Sequence, residues 1–147
     1  MKKIILALLV ITSGIFAYER DEDSFSYIAV GADAILPAIS VGSRGWKDKN
    51  GFDINFNISS IIIATRLSIN ASYLKKFNNN NYIGIGAGAF LAIITCEDYS
   101  FTNKDVYPSL KIGKEYEKTF HEISVAIPQI TEYGKTFIPL ISYRYGF

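Results

Sequence analysis

The residues able to do acid–base or nucleophilic chemistry are few in this chain and poorly spaced for it. His121 is the only histidine, which excludes a multi-histidine metal site. As a general base it would need a serine within hydrogen-bond reach. Side chains alternate faces along a strand, so such partners lie two residues apart; Ser124 lies three away and faces the other side unless a bulge intervenes. His121 is instead expected at a strand rim, close to a Glu117-Lys118 turn. Cys96 is the only cysteine, so an intrachain disulfide and a thiolate metal cluster are both excluded. Its neighbours Glu97 and Asp98 disfavour a reactive thiolate. Gly84, Gly86 and Gly88 alternate with apolar residues without a helix after them, which is not the grammar of a phosphate loop. They are expected to make room for long side chains such as Arg44 or Arg144. Glu97, Asp98 and Asp105 could offer oxygens to a divalent cation, but their spacing matches no calcium loop and a solvated loop is expected. No catalytic, cofactor-binding or metal-ligating residue is assigned, and a protein that is not an enzyme is expected.

What positions these residues is a chain of two-residue periods. At the C-terminal end Phe137, Pro139, Ile141, Tyr143, Tyr145 and Phe147 alternate with Ile138, Leu140, Ser142, Arg144 and Gly146. Further back, Ile123, Val125 and Ile127 oppose Glu122, Ser124 and Ala126, and Leu110 and Ile112 oppose Lys111 and Gly113. Ile83, Ile85, Ala87, Ala89 and Leu91 oppose the three glycines, and Leu67, Ile69, Ala71 and Tyr73 oppose Arg66, Ser68, Asn70 and Ser72. Phe52, Ile54, Phe56 and Ile58 oppose Asp53, Asn55, Asn57 and Ser59. Ile39 and Val41 oppose Ser40, Gly42 and Arg44, and Ile28, Val30 and Ala32 oppose Tyr27, Ala29, Gly31 and Asp33. No helical period competes with this pattern. The expectation is an all-β fold of about eight antiparallel strands.

The connections are expected to alternate in length. Residues 47–51, 78–81 and 117–118 read as short polar turns, with asparagines suited to left-handed backbone. Residues 95–106 and 129–136 read as longer loops, 95–106 being the best candidate contact surface. Two joints fit poorly: 60–65 carries Ile61, Ile62 and Ile63, so either the strands run through it or it covers a barrel mouth, and 35–37 is very short.

The N-terminus begins Met1-Lys2-Lys3, continues with a short apolar run over 4–11, and reaches Ala17 before Tyr18-Glu19-Arg20-Asp21. That is the build of a secretory signal peptide, too short to span a bilayer, with cleavage expected after Ala17. Residues 1–17 are read as signal and 18–147 as one domain. Loss of Lys2 and Lys3 takes the formal charge from +1 to −1, which gives no basis for nucleic-acid binding.

Alternation alone does not say which face is inside. The polar face carries Arg44, Asp53, Arg66, Lys111, Glu122 and Arg144. These charges would pair inside a small barrel, Arg144 with Asp53 or Glu122, while the Ile/Phe/Leu/Tyr face meets lipid. With the aromatic last strand and the export signal, the chain resembles bacterial outer-membrane β-barrel proteins, whose last strand typically ends in Phe. The resemblance implies an up-and-down transmembrane barrel in the outer membrane, inserted by the barrel-assembly machinery through its C-terminal strand. The segments Val41-Gly42-Ser43-Arg44, Gly51-Phe52-Asp53-Ile54, Tyr82-Ile83-Gly84-Ile85-Gly86-Ala87-Gly88, Tyr107-Pro108-Ser109-Leu110 and Ser142-Tyr143-Arg144-Tyr145-Gly146-Phe147 are similar to a family of small, uncharacterised exported proteins of chlamydiae and their relatives. That similarity implies the same architecture and no activity. The expected function is a monomeric structural or surface-interaction barrel with a side-chain-filled lumen, the lipid bilayer around it and an unidentified extracellular partner. Alternatives are a soluble exported barrel binding an apolar ligand, a lipid-modifying enzyme and a pore.

Overall fold

The computed structural model describes residues 24–78, 80–96, 99–117, 119–127, 129–130, 136–137 and 139–147; the expected signal peptide lies outside them. The strands are β1 (Ser24–Asp33), β2 (Leu36–Lys47), β3 (Asn50–Ile61), β4 (Ala64–Lys76), β5 (Asn81–Cys96), β6 (Tyr99–Tyr116), β7 (Thr119–Ala126), the two-residue β8 (Gln129–Ile130) and β9 (Thr136–Phe137), and β10 (Leu140–Gly146). Eight of them close an antiparallel up-and-down barrel in the order β1-β10-β7-β6-β5-β4-β3-β2, while β8 and β9 form a separate two-stranded sheet among the described residues. Closure runs from Ala29 opposite Gly146 to Asp33 opposite Ser142. Below it, Ile28 and Phe147 exchange backbone hydrogen bonds at 3.0 and 2.9 Å. A closed barrel leaves no sheet edge along its wall.

The alternation falls as the sequence implies. Tyr27, Arg44, Asp53, Asn55, Ser72, Lys111, Glu122 and Arg144 are buried, while Ile28, Ile39, Val41, Phe52, Ile85, Leu110 and Ile141 are exposed. The core is therefore polar and the surface apolar, the reverse of a water-soluble barrel.

The two ends differ. At the lower end, with Phe147, the hairpins turn through charged or amide residues. Asp48 takes a left-handed φ of 56° and Glu117 one of 51°, and the Asn78 side chain accepts from the backbone N–H groups of Asn80 and Asn81 at 3.3 and 2.7 Å. At the upper end the turns are Ala34-Ile35 and Ile62-Ile63, and Ala34 takes the left-handed φ of 56°. The strands thus run through 60–65 rather than looping over the mouth.

The expected alternation of short and long connections is corrected here. Residues 95–106 are largely strand: β5 and β6 stay paired up to Cys96 opposite Tyr99. They form a tall hairpin; Glu97 and Asp98 of the weighed cation site lie outside the described residues. Height comes from strand length, 16 and 18 residues for β5 and β6 against 8 and 7 for β7 and β10. β7 pairs with β6 only from Ser109 opposite Ala126 downward, so among the described residues β6 over 99–107 ladders to β5 alone.

The candidate site: a plugged, charge-paired lumen

Eight strands enclose a lumen just wide enough for side chains, and here they fill it in layers. The lowest layer is aromatic: Trp46, Leu74 and Tyr82 pack together with Phe25, and Phe120 packs on Tyr27 and Ala29. Rings from one strand lie over glycines of the next. A methyl group on Gly42 would meet the Tyr27 ring and the Ile54 carbonyl at 2.6 Å, and one on Gly88 the Tyr107 ring at 2.7 Å. Gly113 faces Tyr82 and Gly146 faces Phe120 in the same way. Of the three glycines expected to make room for Arg44 or Arg144, Gly84 faces Leu74, Gly86 faces Ser72 and Gly88 faces Asn70 and the Tyr107 ring instead. Gly42→Ala should push Tyr27 off its seat and cost about 1–3 kcal/mol, the range for overpacked sites, read as a lower denaturant midpoint.

Above the rings sits the ion network. Asp53 accepts hydrogen bonds from the Tyr27 hydroxyl (2.8 Å), Arg44 Nε (3.2 Å), Asn55 Nδ2 (2.9 Å) and Lys111 Nζ (2.8 Å). Glu122 accepts from Arg44 Nη2 and the Tyr82 hydroxyl, each at 2.9 Å, and from Arg144 Nη2. Lys111 Nζ lies 3.5 Å from Glu122, and Arg144 Nη2 4.0 Å from Asp53. Arg44 also reaches Tyr82 at 2.8 Å and Glu115 at 3.2 Å, its guanidinium carbon 4.0 Å from the centre of the Phe120 ring. Lys76 joins Glu115 from the rim at 3.2 Å.

A donor chain climbs from this layer: Tyr107 hydroxyl to Asn70 (2.6 Å), Asn70 to Asn55 (3.2 Å), Asn55 to Asp53. Near the upper mouth Asp33 takes Arg66 Nη1 on both oxygens at 3.0 Å, Ser142 at 2.7 Å, Ser59 at 3.3 Å and Asn57 at 3.4 Å. Phe90 and Tyr107 lie under the Arg66 guanidinium at 4.6 and 5.5 Å. Between the layers remains a polar chamber of about 30 Å³, lined by Asn55, Ser68, Asn70, Ser109, Ser124 and others, room for two or three waters at ~10–15 Å³ each.

Arg44, Asp53, Arg66, Lys111, Glu122 and Arg144 are therefore all luminal, and Arg144 meets both carboxylates foreseen for it. The sequence count of four cations against two carboxylates was incomplete. Asp33 and Glu115 also point inward and are buried, which balances the four cations with four carboxylates among the described residues. Both sit at strand ends beside turns, where a charge reads naturally as solvated; the unbroken parity with Gly31 and with Gly113 was the available signal.

His121 and Ser124 lie on opposite faces. His121 is exposed on the outer wall, its Nδ1 2.7 Å from the Tyr143 hydroxyl and its ring 4.8 Å from that of Tyr145, whereas Ser124 lines the chamber. They cannot act on one substrate. Among the described residues no group of three or more His, Cys, Asp and Glu side chains is arranged to hold a metal ion.

No protein-family model matches the chain, and no curated protein matches it in sequence. Its fold is similar to solved structures. One is the Yersinia pestis outer membrane protein Ail in a phospholipid bilayer nanodisc, with TM-score 0.57 and 10% identity over 85% of this chain and 98% of that one. Another is the N-terminal β-barrel domain of Pseudomonas aeruginosa OprF, with TM-score 0.53 and 16% identity over the same shares. At such identities the likeness is one of fold.

Proposed function

We propose that this chain is an outer-membrane β-barrel with a structural or surface-interaction role and no catalytic one. The observation that carries the reading is the inverted barrel: every luminal charge described is paired, and the exposed wall is Ile, Leu, Val, Phe and Tyr. A continuous apolar wall of this kind is stable against acyl chains and a liability in water. One protein of similar fold, Ail, is an outer membrane protein studied in a phospholipid bilayer nanodisc. The soluble apolar-ligand barrel is disfavoured because the lumen offers charges and amides instead of a greasy cavity. The lipid-modifying enzyme is disfavoured because Ser124, the serine weighed as nucleophile, lines the chamber while His121 is on the outer wall.

In this reading the lower end, with its charged turns and Phe147, faces the periplasm, and the β5–β6 hairpin faces outward. Its upper half is the contact element, because segments that rise from a rigid barrel scaffold carry its surface functions. The barrel acts as a monomer anchored by lipid, and its C-terminal strand is what the assembly machinery engages.

The test is expression of the full chain with fractionation and gel mobility, boiled and unboiled. Outer-membrane recovery with a heat-dependent mobility shift is expected; recovery in the soluble periplasmic fraction would reject the reading. Planar bilayers should show no single-channel steps, since Arg44, Asp53, Tyr82 and Phe120 leave no through-path; steady conductance would mean that the plug moves. Deleting Phe147 removes both backbone bonds to Ile28 that finish the seam. Tyr145→Asp puts a charge on the outer wall between His121 and Phe147. Both should reduce inserted protein several-fold on a heat-modifiability gel, and wild-type amounts for both would contradict a lipid-facing last strand.

A further inference from the structure

The upper turns are apolar where exposed turns are normally polar. Ile62 is fully exposed, Ile35 is 89% exposed and Ile63 53%. The lower turns, built on Asp48, Asn78 and Glu117, have the opposite chemistry.

Strand lengths say what meets those isoleucines. A lipid-facing band is ~25 Å tall; at ~3.3 Å per residue and ~40° of tilt, that needs about ten residues of strand. On β3 and its turn, eleven residues, or ten rises, run from Phe52 to Ile62; on β4 and the same turn, eleven run from Tyr73 up to Ile63. The band is completed only when the tip is included. β2 makes the point more strongly. Its outward residues below Val41 are Ser43, Gly45 and Lys47, so its apolar stretch is Val41, Ile39, Pro37 and the tip residue Ile35. With the tip in water, the apolar wall of β2 would shrink to Val41, Ile39 and Pro37. The one polar pair under the β3–β4 tip is closed on itself: Ser60 and Thr65 hydroxyls lie 2.8 Å apart, as polar groups in hydrocarbon must. On β6 the same eleven residues, counted up from Tyr116, end at Val106, and above it the outward residues are Lys104 and Thr102.

We infer that the Ala34-Ile35 and Ile62-Ile63 tips are seated in the acyl layer of the outer leaflet, and that on the described wall only the β5–β6 hairpin rises clear of it. The outer surface of the barrel is flush with the membrane on the β1–β4 side. The occupant of the apolar tips is lipid, because the band ends at them and is too short without them. This rests on the membrane reading above.

The test uses the full chain with Cys96→Ser as background, carrying single cysteines at Ile62→Cys, Ile35→Cys, Lys104→Cys or Leu110→Cys. Each variant is purified and reconstituted in phosphatidylcholine vesicles at about one barrel per vesicle, so that neither a partner protein nor a second copy can cover the tips. Gel mobility before and after boiling verifies folding, and a membrane-impermeant maleimide reports exposure. Leu110 sits at mid-band and Lys104 on the hairpin. The expected result is labelling at positions 62 and 35 at least tenfold slower than at 104, and comparable to 110. Fast labelling at 62 and 35 with position 110 still protected would overturn the inference and leave the membrane barrel intact. Fast labelling at all four would overturn both.

Discussion

Replacing Asp53 with alanine is expected to cost the barrel about 3–5 kcal/mol, the range for breaking a buried ion pair by removing one partner. Asp53 has no exposed surface and receives four donors. Without it Arg44 keeps Glu122 and Glu115 and Lys111 keeps Glu122, but Arg44, Lys111, Arg144 and Lys76 then face only those two carboxylates. Tyr27 and Asn55 also lose their acceptor. Asp53→Asn should be milder, because an amide oxygen still accepts from Tyr27. Adding Lys111→Met to Asp53→Asn should recover part of the loss by removing the ammonium left over, a non-additivity that only neighbours sharing a partner produce. Denaturant unfolding in vesicles, followed by the gel-mobility shift, measures all of these. A loss below about 1 kcal/mol for Asp53→Ala would mean that water enters the lumen and screens the layer, as it does exposed pairs.

How much of this was legible in the sequence depended on whether a strand's two faces meet different media. Along Phe52, Asp53, Ile54 and Asn55 one face meets apolar surroundings and the other the charged lumen, so the residues alternate and the strand is plain. Along Thr102, Asn103, Lys104 and Asp105 the strand has risen past the apolar band. Alternation fades there and the segment looks like a loop. The same reasoning explains Ile61, Ile62 and Ile63, too apolar for a loop because the strand and its turn stay within the band. Strand identity and facing were thus readable, including the division of His121 from Ser124. The partners, those of Arg144 excepted, were not. Arg44 meets Glu122 at a sequence separation of 78, and Asp33 meets Ser142 at 109. Such pairs depend on the stagger between strands around a closed barrel, which no single strand's pattern encodes. The glycines failed for a related reason: the side chain filling each gap comes from an adjacent strand, offset by a register that had to be known first.

The sharpest test of which side is lipid is a charge placed on the wall. Leu110 projects outward at mid-band between Ile85 and Val125, and it is 58% exposed. In a water-soluble barrel, Leu110→Arg would trade an exposed leucine for a solvated cation, which normally shifts stability by no more than about 0.5 kcal/mol. It would also improve solubility. Against hydrocarbon the same substitution buries an unpaired cation near the bilayer midplane and should cost about 2–4 kcal/mol. The two environments therefore predict different magnitudes and opposite effects on yield. Leu110→Ala is the companion that separates lost apolar contact from charge: it should lose far less than Leu110→Arg in vesicles if lipid is the solvent. Lys104→Ala, on the hairpin above the band, should leave stability within about 0.5 kcal/mol of wild type, as surface substitutions do. If Leu110→Arg folds in vesicles as well as wild type, the apolar wall is not the lipid-facing surface, because no neighbouring side chain at Ile85 or Val125 can neutralise the charge.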